Sequence, residues 1–559
     1  MTTLPQLEKG SVVLAKMLQA YGVPQVFYVE QMLRRTMLEL EKLGIRRIVT
    51  HSEKAAAYMA DGYARASRKP GVCLAQSVGA ANLASGLQDA YLGRSPVVAI
   101  TGAHASDKKL RNSYQEVDNH WAMFEPVTKF RTAISTTAEL PQAVRQAFRE
   151  AVTGTPRPVH IDMVNNCGVT IDTGEVACDL YCEPRFSKVP PFRPAPNPED
   201  VRAAAALVYK ARRPVIIAGG GAIMSDAGTE IQQLVERLGI PLGSSVDGKG
   251  IIPDTHPLCI GCVGGYGRKV ANALLAKADL VLYIGCKICD QVSQDWKLPA
   301  PGIDVIQIDI NPAELGRNYP NAASLLGDAK ACVDALLQEM TEKHSNGEWG
   351  VKATAMLKKW REDLNEPSAS NATPIQTERL CRELQNVLPD NAILVGDTGF
   401  SAVWSASIVE LTNPGQRYIR AAGGSLGWAF PASLGAKCGC PERPVVCFTG
   451  DGAFWYHLAE METAMRHKIA SVTIVNNNSG LGQSRRGIME VYANQPGRAE
   501  DLFKFTAMNF SKYAEELGAF SLRVEKPVDI GPAIVKALAS GKPALVEVMT
   551  DITSDPQNY

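Results

Sequence analysis

Short apolar runs alternate along the whole chain with longer segments that have helical patterns of apolar and polar positions. The runs are rich in Val, Ile and Leu, which is typical of strands buried on both faces. Regular strand–helix alternation predicts an α/β protein built from doubly wound parallel sheets. We predict a helix at EKAAAYMADGYARAS (53–67) and strands at GVCLAQSV (71–78), SPVVAITG (95–102), RPVIIAGGGA (213–222), ADLVLYIG (278–285), DVIQIDI (304–310), NAILVGD (391–397), RPVVCFTGD (443–451) and SVTIVNN (471–477).

Two stretches rich in helix and strand breakers divide this pattern into three parts. The first is EPRFSKVPPFRPAPNPED (183–200), and the second runs from EKHSNGEWG (342–350) to NEPSASNATP (365–374). Each part is long enough to bury its own core. We therefore predict three parallel-sheet domains, at residues 1–185, 195–345 and 370–559.

Composition and charge narrow the class of protein. Lys and Arg number 58, as do Asp and Glu, so that the net charge is zero and gives no reason to expect nucleic acid or a membrane surface as a partner. The first residues lack a secretory signal, and no apolar run approaches the roughly 18 residues of a membrane span. Thirteen cysteines do not resemble a secreted disulfide framework. We expect a cytoplasmic protein with small-molecule substrates.

Polar residues follow two predicted strands in GDGAFWYHLAEMETAMRHKIASVTIVNNNSG (450–480). The strand before Asp451 ends in a glycine turn, a helix is predicted over 453–467, and the next strand ends at Asn477 and Asn478. Because the carboxyl ends of parallel strands share one sheet edge, Asp451 and Asn478 are expected to meet. Carboxylate, amide and carbonyl oxygens suit Mg²⁺, which completes its shell with phosphates and water. The alternative is a turn without a ligand.

The same stretch resembles the thiamine-diphosphate (ThDP) motif, GDG followed about two dozen residues later by NN. The resemblance covers nearly the whole chain and is to the acetolactate synthase-like family. It implies a pyrimidine-binding, a central nucleotide-type and a diphosphate-binding domain, in that order. It also implies ThDP and Mg²⁺ held between subunits of a homodimer or homotetramer. The implied chemistry makes or breaks a bond next to a carbonyl through an enamine at C2 of the cofactor.

The resemblance also assigns roles to individual residues. In HSEKAAAYMADGYAR (51–65), Glu53 is the catalytic glutamate that bonds N1′ of the aminopyrimidine. Asn82 lies near the cofactor, and Gln115 faces the reacting carbon. In GGSLGWAFPASLGA (423–436), Gly424 and Leu426 contact the pyrimidine, Leu426 as a wedge that bends the cofactor. The diphosphate and its Mg²⁺ are assigned to Gly399, Ser401, Gly450, Asp451, Gly452, Ala453, Asn478 and Gly480, of which Asp451, Asn478 and the Gly480 carbonyl are the metal ligands.

Two segments depart from the family pattern near the expected substrate. VFYVEQMLRR (26–35) places Glu30 and Gln31 where relatives carry other residues, and either side chain is a candidate for contact with substrate. Arg485 and Arg486 in SGLGQSRRGIME (479–490) are candidates for binding an anionic group. The alternative in both cases is an ordinary surface loop or turn.

A second departure lies in the central domain. Cys259, Cys262, Cys286 and Cys289 form C-x₂-C, a gap of 23 residues, then C-x₂-C, and this spacing suits a zinc site or an iron–sulfur cluster. Buried thiols and a reversible disulfide are the alternatives. In relatives these segments line an FAD or ADP pocket, and Lys287 stands where FAD-dependent relatives usually have Arg.

Together these features predict a Mg²⁺- and ThDP-dependent transferase or lyase acting on a 2-oxo acid, with carboligation as the first choice. A 2-oxo acid decarboxylase or a 2-hydroxyacyl-CoA lyase is the alternative within the family. A non-catalytic metal- or redox-sensing homologue that uses the four cysteines is the alternative from another class.

Overall fold

Three six-stranded sheets organise the part of the chain that the computed structural model describes, residues 7–105, 108, 110–117, 119–177, 180–342, 347–493 and 495–559. Every neighbouring pair of strands within these sheets is parallel. The predicted α/β fold class, with three parallel sheets flanked by helices, is confirmed. Among the described helices, none combines the length and the apolar character needed to span a bilayer.

The first sheet has the strand order β3-β2-β4-β5-β7-β6. Beside it, β1 and β8 form a small antiparallel pair. The strands are β1 (Leu7–Lys9), β2 (Gln25–Tyr28), β3 (Arg46–Val49), β4 (Gly71–Gln76), β5 (Val97–Gly102), β6 (Phe130–Ile134), β7 (Val159–Met163) and β8 (Glu175–Ala177). The helices between them are α1 (Gly10–Ala20), α2 (Arg34–Lys42), α3 (Glu53–Ser67), α4 (Gly79–Leu92), α5 (His120–Phe124), α6 (Leu140–Val152) and α7 (Val169–Thr173).

The central sheet has the order β11-β10-β9-β12-β13-β14. Its strands are β9 (Pro214–Ala218), β10 (Leu242–Ser244), β11 (Cys259–Cys262), β12 (Leu280–Ile284), β13 (Asp304–Asp309) and β14 (Ala323–Leu326). The accompanying helices are α8 (Pro198–Lys210), α9 (Gly220–Met224), α10 (Gly228–Leu238), α11 (Lys269–Leu275), α12 (Asp290–Ser293), α13 (Ala329–Glu339), α14 (Gly347–Asp363) and α15 (Asn365–Ser368).

The third sheet has the order β16-β15-β17-β18-β20-β19. Its strands are β15 (Ile393–Gly396), β16 (Arg417–Arg420), β17 (Val445–Gly450), β18 (Val472–Asn477), β19 (Phe520–Val524) and β20 (Ala544–Met549). The helices in this part of the chain are α16 (Thr377–Val387), α17 (Phe400–Val403), α18 (Ala429–Gly439), α19 (Asp451–Phe454), α20 (Glu460–Arg466), α21 (Gly482–Val491), α22 (Phe510–Glu516) and α23 (Ile530–Ala539).

Every strand predicted from the sequence is present, and most are one to several residues shorter than the apolar run. The runs are longer because the residues next to the strands are also small or apolar, as in 219–222, where α9 begins at Gly220. The predicted helix at 53–67 begins and ends at the expected residues. The predicted helix at 453–467 is wrong as one element, because the chain forms α19, a turn and then α20.

The chain forms two compact units. The first unit contains the described residues of 1–191 together with 422–442 and 457–469. The second unit contains the described residues of 192–421, 443–456 and 470–559. Helices α18 and α20, which follow strands of the third sheet in the chain, therefore belong to the first unit.

Helices α3 and α18 approach each other closely inside the first unit. A Cβ on Gly62 would lie 2.0 Å from the Ala432 carbonyl oxygen, and a Cβ on Gly435 would lie 1.9 Å from the Met59 carbonyl oxygen. Only glycine allows two backbones to come this near. This packing fixes the segment before α18 relative to Glu53 at the beginning of α3.

Candidate active site

Glu53 is the first residue of α3 and lies at the carboxyl edge of the first sheet. The Ser52 side chain caps the helix by accepting a hydrogen bond from the Ala55 N–H. The Glu53 carboxylate accepts a hydrogen bond of 3.1 Å from Asn82 Nδ2. A Cβ on Gly79 would lie 2.4 Å from Glu53 Oε1, so that α4 begins directly beside this carboxylate. The structure thus brings together Glu53 and Asn82, two of the residues assigned to the cofactor.

The backbone before Glu53 is held by a residue that the sequence did not reveal. Glu460, almost fully buried at the beginning of α20, accepts hydrogen bonds from the His51 N–H at 3.0 Å and from Thr463 Oγ1 at 2.7 Å. Burial raises the pKa of Glu460 above its ordinary value. The hydrogen bond from His51 ties α20 to the entry of α3.

Residues 422–428, which we call the arch, carry the predicted pyrimidine contacts. Gly424 and Gly427 have φ values of +77° and +86°, in the left-handed region that favours glycine. Leu426 lies between them with a half-buried side chain. The two glycines therefore give the arch its shape and present Leu426 from it.

Gln115 has an unusual backbone conformation for its residue type. Its φ is +63°, and its carbonyl oxygen accepts a short hydrogen bond from the fully buried Ser77 hydroxyl. A non-glycine residue in the left-handed region carries strain that the surrounding structure must offset. Ser77, at the carboxyl end of β4, thus holds Gln115 at the same edge of the first sheet as Glu53.

The second unit contains the predicted metal ligands. Asp451 is 1% exposed, and its Oδ1 atom accepts a hydrogen bond of 3.4 Å from the Asn478 N–H. Burial raises the pKa of Asp451 from 3.8 to about 6, although backbone N–H groups of Asn478 and Gly480 lower it. Within the described residues, Asp451 Oδ2 and Asn478 Oδ1 are buried oxygens without a hydrogen-bond partner.

Two unpartnered buried oxygens at adjacent strand ends are a costly arrangement unless something binds them. A carboxylate oxygen and an amide oxygen are hard ligands of the kind that Mg²⁺ prefers. The donor set therefore fits the divalent cation that the sequence predicts at this edge.

Asn477 and Asn478 have different surroundings. Asn477 Nδ2 donates a hydrogen bond of 2.6 Å to Glu547, and its Oδ1 accepts one of 3.0 Å from the Ser479 N–H. Asn477 is thereby engaged in shaping the turn, which leaves the Asn478 oxygen for a ligand. Gly480 is needed there because a Cβ would lie 2.4 Å from the Phe503 carbonyl oxygen.

Gly399 and Ser401 lie at the switch point of the third sheet, where β15 and β17 are neighbours. Gly399 has φ +68° and ψ −150°, a conformation restricted to glycine. The Ser401 hydroxyl oxygen would lie 3.4 Å from a Cβ on Gly450. The loop that begins at Gly399 therefore adjoins the turn of Gly450, Asp451, Gly452 and Ala453, as the sequence predicts for residues that share one ligand.

Glu30 and Gln31 follow β2 in an exposed turn. Glu30 accepts hydrogen bonds from Arg34 Nε at 2.6 Å and from Arg34 Nη2 at 3.3 Å. This pair has the spacing of an ordinary surface ion pair on a helix. Contact of Glu30 or Gln31 with substrate stays a prediction.

Arg486, in α21, contacts residues at 555–557. Arg486 donates a hydrogen bond of 2.7 Å to Gln557 Oε1 and lies 3.6 Å from an Asp555 oxygen. Its side chain is 64% exposed. The Arg486 side chain thus contacts a later segment of the chain, and substrate binding by Arg485 and Arg486 stays a prediction.

The predicted four-cysteine metal site is wrong. In the central sheet, β10 and β9 separate β11, which carries Cys259 and Cys262, from β12, which precedes Cys286. Cys259 also packs in a different apolar cluster from Cys262 and Cys286. Among the described residues, which include all four cysteines, no group of three or more His, Cys, Asp or Glu side chains could hold a metal ion.

The central switch point is where the resemblance assigns FAD or ADP. The turns after β9 and β12 touch there, since the Gly221 N–H donates a hydrogen bond of 2.8 Å to the Gly285 carbonyl. A Cβ on Gly219 would lie 2.4 Å from Cys286 Cα. A nucleotide in this domain, with Lys287 beside it, stays a prediction.

Sequence reasoning missed the buried groups that support these loops. Ser77, Asp89, Glu460 and Glu547 are each at most 1% exposed. Glu547 left a signal, since it is the only charged residue in the apolar strand ALVEVM. The others occur in helical or turn segments, where polar residues are common and do not indicate a buried group.

Comparisons with known proteins place the whole chain in one family. Family models match at 8–123 (thiamine pyrophosphate enzyme, N-terminal TPP binding domain), 201–336 (central domain) and 397–548 (C-terminal TPP binding domain). The chain is 33% identical over 556 residues to a probable acetolactate synthase large subunit of Methanocaldococcus jannaschii, covering 97% of this chain and 92% of that protein. It is 29% identical over 521 residues to acetolactate synthase isozyme 1 large subunit of Escherichia coli, covering 91% and 87%. The chain belongs to the thiamine pyrophosphate enzymes and, among them, to the ThDP-dependent acetolactate synthase-like enzymes.

Proposed function

We propose that this protein is a ThDP- and Mg²⁺-dependent carboligase that joins a 2-oxo acid to a second carbonyl compound. The observation that carries the proposal is the pair of unpartnered buried oxygens, Asp451 Oδ2 and Asn478 Oδ1, at adjacent carboxyl ends of the third sheet. Those atoms, with the Gly480 carbonyl, would hold Mg²⁺. When bound, ThDP supplies the carbon nucleophile and the electron sink for making or breaking a bond next to a carbonyl.

The diphosphate would lie against the glycine turns of the second unit. Gly450, Gly452 and Ala453 bring backbone N–H groups to the edge where Asp451 lies, and Gly399 with Ser401 adjoins the same turn. Because these residues are small, a ligand can approach their backbone closely.

The organic rings would be bound by residues of the first unit. Glu53, oriented by Asn82, would hold and move the proton at its carboxylate oxygens. The Gly424 carbonyl and the Leu426 N–H would bind the pyrimidine edge, and the Leu426 side chain would enforce the bend. Gln115, held by Ser77, would orient the substrate carbonyl.

We further propose that the active site is completed between two copies of the chain in a homodimer or homotetramer. Support comes from the family and from the division of the candidate residues between the two compact units. Sedimentation with and without ThDP and Mg²⁺ tests this, and a catalytically competent monomer would contradict it.

Proton NMR of the protein with Mg²⁺, ThDP and pyruvate, with and without an added aldehyde, tests the reaction. Acetolactate, acetoin or another acyloin supports a carboligase, whereas acetaldehyde alone identifies a decarboxylase and overturns the proposal. If pyruvate is unchanged while ThDP is bound, pyruvate is refuted as the donor, and the same assay is run with longer 2-oxo acids and 2-hydroxyacyl-CoA thioesters. Glu53→Gln is the matched control, because any product that forms with this variant does not depend on the proposed catalytic carboxylate.

A further inference from the structure

Asp89 of α4 is a fully buried carboxylate that the proposed reaction does not use. Its Oδ1 accepts hydrogen bonds from the backbone N–H groups of Ala422 at 2.6 Å and Gly423 at 3.1 Å. Its Oδ2 accepts one from the Ser425 N–H at 3.2 Å. The Asp89 side chain is 0% exposed, so all three bonds end on a carboxylate that lies out of water. One carboxylate thus binds three of the first four residues of the arch.

The far end of the arch is held by a second buried group. Trp428 Nε1 donates a hydrogen bond of 3.0 Å to Asp61 Oδ2, and Asp61 is paired with Arg65 at 2.8 Å and 3.0 Å. The Arg65 guanidinium lies 4.9 Å from the centre of the Trp428 ring and donates a hydrogen bond to the Asp89 carbonyl at 3.2 Å. The two anchors are therefore joined through Arg65.

Only a short span of chain lies between the anchors. Gly424 and Gly427 hold left-handed conformations there, and Leu426 is the largest side chain between them. A shift of this span would break charge-assisted hydrogen bonds inside the protein, each of which is costly to leave unmade. The position of Leu426 is thus set by groups on α3 and α4, which do not belong to the arch.

We propose that Asp89 is a positioning residue, which fixes the arch so that Leu426 meets ThDP at the height needed to bend it. The inference rests on the proposed function, because it takes Leu426 as the wedge. Through Arg65, the anchor at Asp61 and Trp428 acts on the same span from its other end.

The chain offers a matched control for a purely structural role. Asp172 of α7 is also buried and accepts hydrogen bonds from the Arg35 N–H at 3.0 Å, the Thr36 N–H at 2.9 Å and Thr36 Oγ1 at 2.6 Å. It holds the beginning of α2 in the way that Asp89 holds the arch. Asp172→Asn and Asp89→Asn therefore remove the same kind of interaction from two places.

The experiment measures two properties of the full chain with Mg²⁺. One is the affinity for ThDP by calorimetry, and the other is the rate at which the C2 proton of bound ThDP exchanges with D₂O, followed by NMR. In Asp89→Asn the amide oxygen can keep the two hydrogen bonds from Ala422 and Gly423. The amide nitrogen then faces the Ser425 N–H, and because both are donors, that hydrogen bond is lost. We expect ThDP affinity and C2 exchange each to fall about tenfold, the effect of one lost charge-assisted bond. Asp172→Asn should change both by less than about twofold while lowering the unfolding temperature.

Wild-type affinity and exchange in Asp89→Asn would overturn the proposal, as would equal losses in Asp172→Asn. If Asp89→Asn does not fold, Trp428→Phe removes the hydrogen bond to Asp61, together with part of a fully buried ring, and should slow C2 exchange in the same direction. Unchanged exchange in Trp428→Phe would then overturn it. A wild-type chain that does not bind ThDP would refute the proposed function itself, which is seen without any variant.

Discussion

The two compact units prepare their candidate groups in opposite ways. In the first unit, Glu53 accepts a hydrogen bond from Asn82, and Asp89 accepts hydrogen bonds from three backbone N–H groups of the arch. In the second unit, Asp451 Oδ2 and Asn478 Oδ1 are buried and have no hydrogen-bond partner in the part of the chain that the structure describes. The first unit arranges its candidate groups through its own hydrogen bonds, whereas the second presents two buried oxygens to the cation that we propose. This difference suits the proposed ligand, because rigid rings need a preformed shape, whereas a diphosphate needs a positive charge that a bound cation would supply.

Removing the carboxylate of the second unit should have the largest effect. Asp451→Ala takes away one of two unpartnered oxygens, so we expect Mg²⁺ and ThDP affinity to fall by more than about a hundredfold. Calorimetry with Mg²⁺ alone and then with ThDP measures both. If Asp451→Ala kept its affinity for Mg²⁺ and ThDP, the second unit would not depend on a cation at Asp451, and the contrast between the two units would be wrong.

Replacing the carboxylate of the first unit should separate binding from chemistry. Glu53→Gln keeps the side-chain shape and removes the group that takes up the proton. Turnover should fall by roughly 10² to 10⁴ while ThDP stays bound. Steady-state rates and ThDP affinity of Glu53→Gln are compared with those of the wild type. Turnover at the wild-type rate would contradict the role proposed for Glu53.

Acid should destabilise the first unit. Burial lowers the pKa of His160 from 6.5 to about 3, although the nearby Asp162 raises it. The folded chain therefore binds fewer protons than the unfolded chain below about pH 6.5. The contribution of neutral His160 to the free energy of unfolding is complete above about pH 6.5 and is lost as the pH falls toward about 3. Burial lowers the pKa of His457 and His467, also in this unit, to about 4.

Urea unfolding at several pH values between 4 and 8 measures this loss. His160→Gln should flatten part of the pH dependence, because an amide does not titrate. A stability that stays constant or rises as the pH falls would contradict the prediction.

A methyl group placed beside Glu53 should have a moderate effect. The Cβ of Gly79→Ala would lie 2.4 Å from Glu53 Oε1, so the carboxylate must move away from its position. We expect C2 exchange to slow by about tenfold with little change in stability. Gly347→Ala is the control, since nothing lies within 4 Å of a Cβ there. Equal rates in both variants would show that the position of Glu53 is not critical.

The smallest effect is expected at Arg486. Its partners Gln557 and Asp555 are near the surface, and exposed pairs of this kind contribute less than about 1 kcal/mol. Arg486→Ala should keep KM and kcat within about twofold of the wild-type values. A large rise in KM alone would instead identify Arg486 as a substrate contact.

Local pattern was enough to predict the parallel sheets and the position of α3. Each predicted strand is a continuous run of apolar residues. Such a run predicts a strand that is buried on both faces, even when the adjacent strands of the sheet are unknown. The residues of GDG and NN could be assigned to one sheet edge for the same reason, since consecutive parallel strands end on the same side. The break between α19 and α20 could not be predicted, because apolar residues continue through the turn at 455–459.

The sequence by itself determined the fold class, the family and the chemical types of the candidate residues. Tertiary structure decided which of those residues meet. The cysteines have the spacing of a metal site, but among the described residues they form no group of three or more that could hold a metal ion, and Cys259 packs in a different apolar cluster from Cys262 and Cys286. Glu547 engages Asn477, whereas Asn478 Oδ1 has no hydrogen-bond partner among the described residues, and Asp89 reaches an arch more than 300 positions away in the chain. Such choices depend on side chains brought together from distant segments, where burial makes every unpaired polar group costly.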